Sequence, residues 1–189
     1  AINQDGVVIG GGLSGITAAL SLADQGFKVA LIEKSGVLGG RMANVHATLE
    51  GDDPYYFMAN LLYRTQNHRN IMICLNSEVA RVGGHIGKFV VTVAEKGTGG
   101  GPDGVTKTEI ACGAIIAATG AEPAQAAGFC YGESENVLTQ SELEERLHDN
   151  AFDGGKNIVM IQCAGSRNAE RPYCSRICCS MAVKNALAI

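Results

Sequence analysis

The chain has 189 residues, of which 46% are hydrophobic and 18% charged, and its formal charge at pH 7 is −4. This length predicts one domain plus part of a second, and the composition is that of a folded globular protein rather than a disordered or collagen-like one. The acidic balance disfavours nucleic acid as a partner, and no apolar run is long enough to predict a transmembrane segment. The chain looks like a fragment of a longer protein. Because its first residues show no signal-peptide pattern, we expect a cytoplasmic location.

The first predicted feature is a strand, helix and strand in immediate succession, covering Asp5 to Glu33. Apolar runs at residues 5–9 and 28–33 are typical of buried strands, and the spacing of apolar residues over 14–25 is helical. Two strands joined by a helix in this way are expected to be parallel and right-handed. The opening of the chain therefore predicts an α/β fold with a parallel sheet.

A glycine-rich turn, Gly10-Gly11-Gly12-Leu13-Ser14-Gly15, joins the first strand to the helix. In this pattern Gly10 permits the tight turn, Gly12 lets a pyrophosphate approach the backbone, and Gly15 lets the helix pack closely on the sheet. Glu33 ends the second strand, where a carboxylate is suited to bind ribose hydroxyls and disfavours NADP. A plain glycine turn is the alternative, but the strand, helix, strand and acid together favour a dinucleotide site.

The middle of the chain predicts an antiparallel meander inserted into the parallel fold, at about residues 71–111. Residues 35–69 are mixed in character and include a polar stretch, 64–70, that predicts a loop. The meander is followed by a buried strand over 113–118, which ends at Thr119 and Gly120. The predicted strands of the meander are 71–75, 77–82, 88–95 and 105–111, with a glycine-rich hairpin tip at 97–104.

The last part of the chain predicts the start of a second, truncated Rossmann-like domain. A polar connection over 122–155 contains a helix at 141–148, for which Ser141 and Glu144 form a plausible capping box. An apolar strand at 157–162 and a helix at 180–189 follow. We therefore divide the chain into a dinucleotide-binding domain (1–121), a connection (122–155) and the beginning of a second domain (156–189).

Two further strings resemble signatures of FAD-dependent two-domain reductases. Glu33-Lys34 is followed by Gly39-Gly40-Arg41, and Ala118-Thr119-Gly120 stands at the end of the strand that returns from the meander. The resemblance implies a Rossmann-like FAD-binding domain, in which the glycine pair approaches the diphosphate and the arginine region lies near the flavin. The candidate cofactor contacts are Gly10, Gly12, Leu13, Ser14, Gly15, Glu33, Lys34, Gly39, Gly40, Arg41, Val79, Ala118, Thr119 and Gly120.

The strings Ile161–Arg167 and Pro172–Cys179 make the chain similar to the A subunit of heterodisulfide reductases. This resemblance implies an FAD-dependent electron-transfer subunit that works with the other subunits of a complex and with electron carriers. The chain departs from that family in lacking ferredoxin-type cysteine repeats and a cysteine pair in the segment after Arg41.

Four of the seven cysteines fall within the last 27 residues, at Cys163, Cys174, Cys178 and Cys179. Four thiolates are the number that a 4Fe–4S cluster needs, so these residues are the candidate metal ligands. Zinc, a redox dithiol and inert buried thiols are the alternatives. The other three cysteines are isolated and are expected to be core or neutral positions: Cys74, Cys112 and Cys130.

The sequence thus predicts a flavoprotein oxidoreductase that relays electrons between FAD and an iron–sulfur cluster. It offers no candidate catalytic side chain, because the four histidines are scattered and the chemistry would belong to the cofactors. One alternative is an NAD(P)H-dependent disulfide reductase of the thioredoxin reductase type, although residues 163–168 replace its second glycine motif. The other is a flavin-binding scaffold without catalytic activity.

Overall fold

The computed structural model describes residues 2–97, 104–124, 128–154 and 157–189. The chain divides into two compact units, one of Ala1–Ala43 with Tyr56–Gly120 and the other of Asn44–Tyr55 with Ala121–Ile189. The predicted hairpin tip lies almost wholly outside the described residues. In chain order the elements are β1 (Gly6–Ile9), α1 (Leu13–Asp24), β2 (Val29–Ile32), a 3₁₀ helix (Gly40–Asn44), α2 (Tyr55–Gln66), β3 (Ile71–Cys74), β4 (Ser77–His85), β5 (Lys88–Lys96), β6 (Val105–Cys112), β7 (Ala114–Ala117), α3 (Gln140–His148) and α4 (Cys178–Ala188).

A four-stranded parallel sheet in the order β3-β2-β1-β7 forms the centre of the first unit. Gly6 pairs with both Val29 and Ala114, and the register continues in step along all three strands. The two central strands are apolar along their whole length because both faces of the sheet are covered. The α/β class with a parallel sheet is thus confirmed.

Alternate residues of β1 face two separate hydrophobic clusters. Val8 packs on one face with Ile16 and Leu20 of α1, whereas Val7 packs on the other face with Val91 and other residues of the meander. Successive side chains of a strand point to opposite faces, so a fully apolar strand serves both clusters at once. The glycine turn after β1 is held by this doubly packed strand.

The inserted meander is an antiparallel sheet in the order β4-β5-β6. Its register is continuous except for an irregularity between Val79 and Arg81. Val91 and Val93 of β5 are buried against the parallel sheet, so the meander packs on that sheet through these side chains. The prediction of a meander inserted in a parallel fold is confirmed, but the strand predicted at 71–75 as part of the meander is β3, which pairs in parallel with β2 in the central sheet. The antiparallel sheet begins at Ser77.

Helix α2 was not predicted, and the loop expected at 64–70 begins only after Gln66. Met58, Leu61 and Thr65 are its buried residues, spaced three and four apart as one helical face requires. The helix also begins with three exposed aromatic residues, Tyr55 to Phe57. Those exposed aromatics obscure the helical pattern because only the spacing of the buried positions indicates a helix.

Two predictions about the second unit were wrong in detail. The cap of α3 is Thr139, whose side chain accepts from the Glu142 N–H while Glu142 accepts from the Thr139 N–H, so the capping box lies two residues before the predicted one. The strand predicted over residues 157–162 is absent, because none of these residues is in a strand. Val159 in that run is 82% exposed, and an apolar segment becomes a strand only where neighbouring strands pair with it.

A buried ion pair holds the second unit together. Lys184 of α4 lies 2.5 Å from Glu144 of α3, and their side chains are only 13% and 6% exposed. The same Glu144 oxygen accepts from the His46 N–H at 2.9 Å, and Lys184 also donates to the Ala47 carbonyl at 3.2 Å. One pair of charges therefore joins two helices and the 44–55 segment. Within the described parts of the chain, no helix is long and apolar enough to span a bilayer.

We expect Lys184→Met to destabilise the second unit by about 3 kcal/mol, because it leaves the Glu144 carboxylate buried without its cation. Thermal unfolding followed by circular dichroism measures this loss. The double variant Lys184→Met/Glu144→Leu is the control, and it should recover part of the stability since no uncompensated charge remains. Equal stability of Lys184→Met and the wild-type protein would contradict a structural role for the pair.

Candidate functional site

The glycine turn between β1 and α1 leaves no room for side chains at two of its positions. A Cβ on Gly10 would lie 2.2 Å from the Ala118 carbonyl oxygen, and Gly10 has a φ of +107°. A Cβ on Gly15 would lie 1.8 Å from the Gly10 carbonyl oxygen. Both contacts are with backbone atoms, so no side-chain movement relieves them. The roles predicted for these glycines, a tight turn and close packing of helix on sheet, fit this geometry.

Gly12 differs because the space above it is open. It is the N-cap of α1, no side chain caps the helix there, and a Cβ at this position would meet only the Gly40 Cα, at 4.0 Å. The first N–H groups of a helix have no partner within the helix, and the positive end of its dipole lies there. The backbone from Gly12 to Ser14 is therefore able to receive an anionic group such as a phosphate.

The glycine pair Gly39-Gly40 packs directly against this turn. The Gly39 N–H donates to the Gly11 carbonyl at 2.8 Å, and Gly39 and Gly12 form an isolated parallel bridge. Gly40 has a φ of +53°, and a Cβ on it would approach the Gly12 Cα to 3.0 Å. Two glycine-rich segments far apart in sequence thus form one surface without side chains beside the start of α1.

Glu33 lies at the edge of this surface and is only 8% exposed. Its Oε2 accepts from the Gly11 N–H at 2.6 Å, and its Oε1 accepts from both the N–H and the hydroxyl of Ser35 at 2.8 Å. Burial raises the pKa of this carboxyl, but the donors on Ser35 and Gly11, together with the charge of Lys34, outweigh burial and lower its pKa overall. Glu33 is therefore held in its ionised form.

We expect Glu33→Ala to weaken FAD binding by about 1 to 3 kcal/mol, the usual cost of losing a hydrogen bond to a charged group. Fluorescence titration of FAD measures this change, and unchanged affinity would show that Glu33 does not contact the ligand.

The stability contributed by Glu33 should also depend on pH. Because its folded-state pKa lies below its ordinary value of 4.5, the contribution is complete above about pH 4.5 and is lost as the pH falls through the lower folded value. In Glu33→Gln this part of the acid sensitivity should disappear. Urea unfolding between pH 3 and pH 6 measures the difference, and identical acid profiles for the two proteins would contradict it.

The segment after β7 completes the surface. The Ala118 N–H donates to the Ile9 carbonyl at 2.8 Å, which holds Ala118 beside the glycine turn. Thr119 and Gly120 follow and are exposed, and Gly120 has a φ of +67°. The structure therefore brings together most of the candidate cofactor contacts: the residues of the glycine turn, Glu33, Gly39, Gly40 and Ala118.

The other candidate contacts are less closely joined to this surface. Arg41 and Lys34 are exposed and follow Gly40 and Glu33 directly in the chain. Val79 instead packs against the hydrophobic cluster between the two sheets. Two residues of the site were not among the candidates, Gly11 and Ser35, which among the described residues donate hydrogen bonds to the Glu33 carboxylate. A serine two residues after the acid is the only sequence signal for Ser35, since short polar side chains often bond to nearby groups.

The four clustered cysteines lie in irregular backbone or at the start of α4. Cys163 has a φ of +62°, and Arg176, between Cys174 and Cys178, also has a φ of +62°. Cys174 Sγ accepts from the Arg176 N–H at 3.3 Å, and Cys178 Sγ lies 3.5 Å from the Ser175 hydroxyl. In the described residues no three His, Cys, Asp or Glu side chains are grouped to hold a metal. The four thiols are therefore not arranged as a ready-made metal site.

The isolated cysteines differ in their surroundings. Cys112 is buried and Cys74 half-buried, and burial raises the pKa of both thiols, with added repulsion from Asp5 and Glu95 respectively. Neither is therefore a reactive thiolate at neutral pH. Cys130 is exposed.

The chain is similar to a family of oxidoreductases and to a solved dehydrogenase structure. The family model described as pyridine nucleotide-disulphide oxidoreductase matches residues 4–161, which include every candidate cofactor contact. The L-proline dehydrogenase from P. horikoshii is similar in structure, with a TM-score of 0.56 and 27% sequence identity, over 78% of this chain and 28% of that one.

Two curated relatives are similar over nearly the whole chain. The iron-sulfur A subunit of the CoB–CoM heterodisulfide reductase of Methanocaldococcus jannaschii is 30% identical over 100% of this chain and 42% of its own length. One form of the same A subunit from Methanopyrus kandleri is 32% identical over 97% of this chain and 41% of its own length. The chain therefore spans about two fifths of these relatives, and the expected similarity to the A subunit is confirmed.

Proposed function

Because the chain belongs to the pyridine nucleotide-disulphide oxidoreductase family, we propose that it is the FAD-binding part of a heterodisulfide reductase-like electron-transfer subunit. The observation that carries this proposal is the packing of Gly39-Gly40 on the glycine turn, next to the ionised Glu33. A backbone surface without side chains, a helix N-terminus and a buried carboxylate together suit the diphosphate and ribose of one dinucleotide.

In this proposal each part of the site has one task. The N–H groups at the start of α1 bind the diphosphate, and Gly12 and Gly40 leave space for it. Glu33 accepts from the ribose hydroxyls of the adenosine. Arg41, exposed directly after the glycine pair, would lie toward the flavin. Bound FAD would supply the redox chemistry, accepting and donating one or two electrons.

The partners follow from the relatives that this chain resembles. Relatives that align with almost all of this chain are named as subunits of heterodisulfide reductases, and we propose that this protein likewise exchanges electrons with other subunits and with electron carriers. A self-contained disulfide reductase is less well supported, because the turn at residues 163–168 has no second glycine motif to hold a nicotinamide nucleotide.

We further propose that Cys163, Cys174, Cys178 and Cys179 bind a 4Fe–4S cluster. The donor types fit, since four thiolates are the usual ligand set, but their placement does not converge on one point. A regular helix from Cys174 onward would place Cys174 and Cys178 on one face and point Cys179 about 100 degrees away. Helix α4 instead begins at Cys178, after the left-handed Arg176, so Cys174 lies outside it, and binding of one cluster by both Cys178 and Cys179 requires the first turn of α4 to open.

Titration of the purified protein with FAD, FMN and NAD tests the proposed function. We expect FAD to bind, ADP to compete with it, and FMN to bind much more weakly because it lacks the adenosine diphosphate that the site is built to hold. Binding of NAD with no binding of FAD would overturn the assignment.

A further inference from the structure

The Ser35 hydroxyl lies between two acceptors that it cannot serve together. Its Oγ is 2.8 Å from Glu33 Oε1 and 2.7 Å from the Val37 carbonyl oxygen. An ionised carboxylate and a carbonyl only accept hydrogen bonds, and a serine hydroxyl has a single proton to donate. The proton therefore bonds to either Glu33 or Val37 at any moment, and both arrangements leave the hydroxyl satisfied.

The carboxylate of Glu33 has limited room for further donors. Each carboxylate oxygen accepts about two hydrogen bonds. Oε2 holds one, from the Gly11 N–H, and Oε1 holds two when the Ser35 hydroxyl donates to it together with the Ser35 N–H. A ribose diol that donates one hydroxyl to each oxygen thus finds a place on Oε2 but none on Oε1.

From these contacts we infer that Ser35 is a specificity-determining residue of the dinucleotide site, whose hydroxyl occupies the second ribose position on Glu33 until the ligand displaces it. On binding, the hydroxyl turns to the Val37 carbonyl and one ribose hydroxyl takes its place on Oε1. This inference rests on the proposed function, in which Glu33 binds the adenosine ribose.

The exchange lowers affinity because the hydrogen bond that is given up is to a charged acceptor and the bond that replaces it is to a neutral one. Bonds to ionised groups are roughly twice as strong as neutral ones. Removing the hydroxyl removes this competition, so Ser35→Ala should bind FAD about 3 to 10 times more tightly than the wild-type protein. The Ser35 N–H remains in the variant and continues to orient Glu33.

The inference is tested by measuring FAD affinity for the wild-type protein, Ser35→Ala and the control Ser35→Thr, which keeps a hydroxyl. Competition against FAD is then measured with ADP, 2′-deoxy-ADP and 3′-deoxy-ADP. We expect tighter FAD and ADP binding only in Ser35→Ala, and we expect that gain to fall below about 2-fold for one of the two deoxy analogues, which lacks the hydroxyl bound to Oε1. A merely structural effect of the substitution would alter all three nucleotides alike.

The outcomes separate this inference from the proposed function. If the wild-type protein binds FAD but Ser35→Ala binds it equally or more weakly, the role of Ser35 is wrong and the FAD assignment stands. An equal gain for all three nucleotides also overturns the exchange at Oε1. If the wild-type protein binds no FAD, both the proposed function and the inference fail. Thermal unfolding of each variant verifies that the affinities compare folded proteins.

Discussion

Gly12→Ala is expected to abolish most FAD binding while leaving the fold unchanged. A Cβ at Gly12 meets nothing closer than the Gly40 Cα at 4.0 Å, and the residue has ordinary extended backbone angles, φ −79° and ψ −176°, that alanine also adopts. The added methyl group would instead fill the space that a diphosphate needs above the turn. We expect affinity to fall at least 30-fold, or about 2 kcal/mol, in a fluorescence titration with FAD.

The matched control for this variant is Gly83→Ala. Gly83 lies in β4, and a Cβ there would also find its nearest neighbour, the Val90 carbonyl oxygen, at 4.0 Å. The two substitutions therefore add the same methyl group in equally open surroundings. One lies in the proposed diphosphate site and the other lies outside it. Both should unfold at nearly the wild-type temperature, and only Gly12→Ala should lose FAD. Equal FAD affinities for both variants would show that the diphosphate lies elsewhere.

The sequence predicted β1, α1 and β2 of the first unit well because the local patterns and the packing of these elements agree. The glycine turn stands between an apolar strand and an amphipathic helix, so the spacing, the turn and the buried faces all indicate one arrangement. Gly10 and Gly15 are each excluded from carrying a side chain by a backbone oxygen. Such a backbone requirement can be read from residue type alone, which is why the glycine motif was informative.

The sequence failed where structure depends on partners distant in the chain. The apolar run at 158–162 has the composition of a strand, but no strand pairs with it in the described part of the chain. Helix α2 is the opposite case, because a helix forms where the sequence did not indicate one. Its first residues are exposed aromatics, and its buried face is narrow. In both segments tertiary contacts decide which secondary structure forms, and these contacts cannot be predicted from composition alone.

The candidate site shows the same division. The proximity of Gly39-Gly40 to the glycine turn was expected only through resemblance to a family, because no local rule joins segments 27 residues apart. The bonds from Gly11 and Ser35 to Glu33 depend on side-chain and backbone positions that a motif does not specify. Residue types therefore indicated the class of ligand, whereas the competition at Glu33 is visible only in the structure.

Replacing Cys178 or Cys179 with serine is expected to remove most of the iron–sulfur cluster from the reconstituted protein. A serine hydroxyl is not deprotonated at neutral pH and is a poor substitute for a thiolate, so each loss leaves three of four ligands. Reconstitution without oxygen, followed by iron and sulfide analysis and the paramagnetic spectrum of the reduced state, measures the cluster. The wild-type protein should contain about four irons per chain, and each variant less than half of that amount.

Cys130→Ser is the matched control, because it removes an exposed thiol outside the proposed ligand set. This variant should keep the full iron content and spectrum. The backbone before Cys178 bears on this prediction, because the left-handed Arg176 precedes α4 and leaves Cys174 outside the helix. Cys178 and Cys179 are the first two residues of α4, so their side chains point about 100 degrees apart. If both variants retain the full signal, or if the wild-type protein never takes up iron, these cysteines are not cluster ligands. The proposed electron relay would then lose its one-electron carrier, while the FAD-binding proposal would be unaffected.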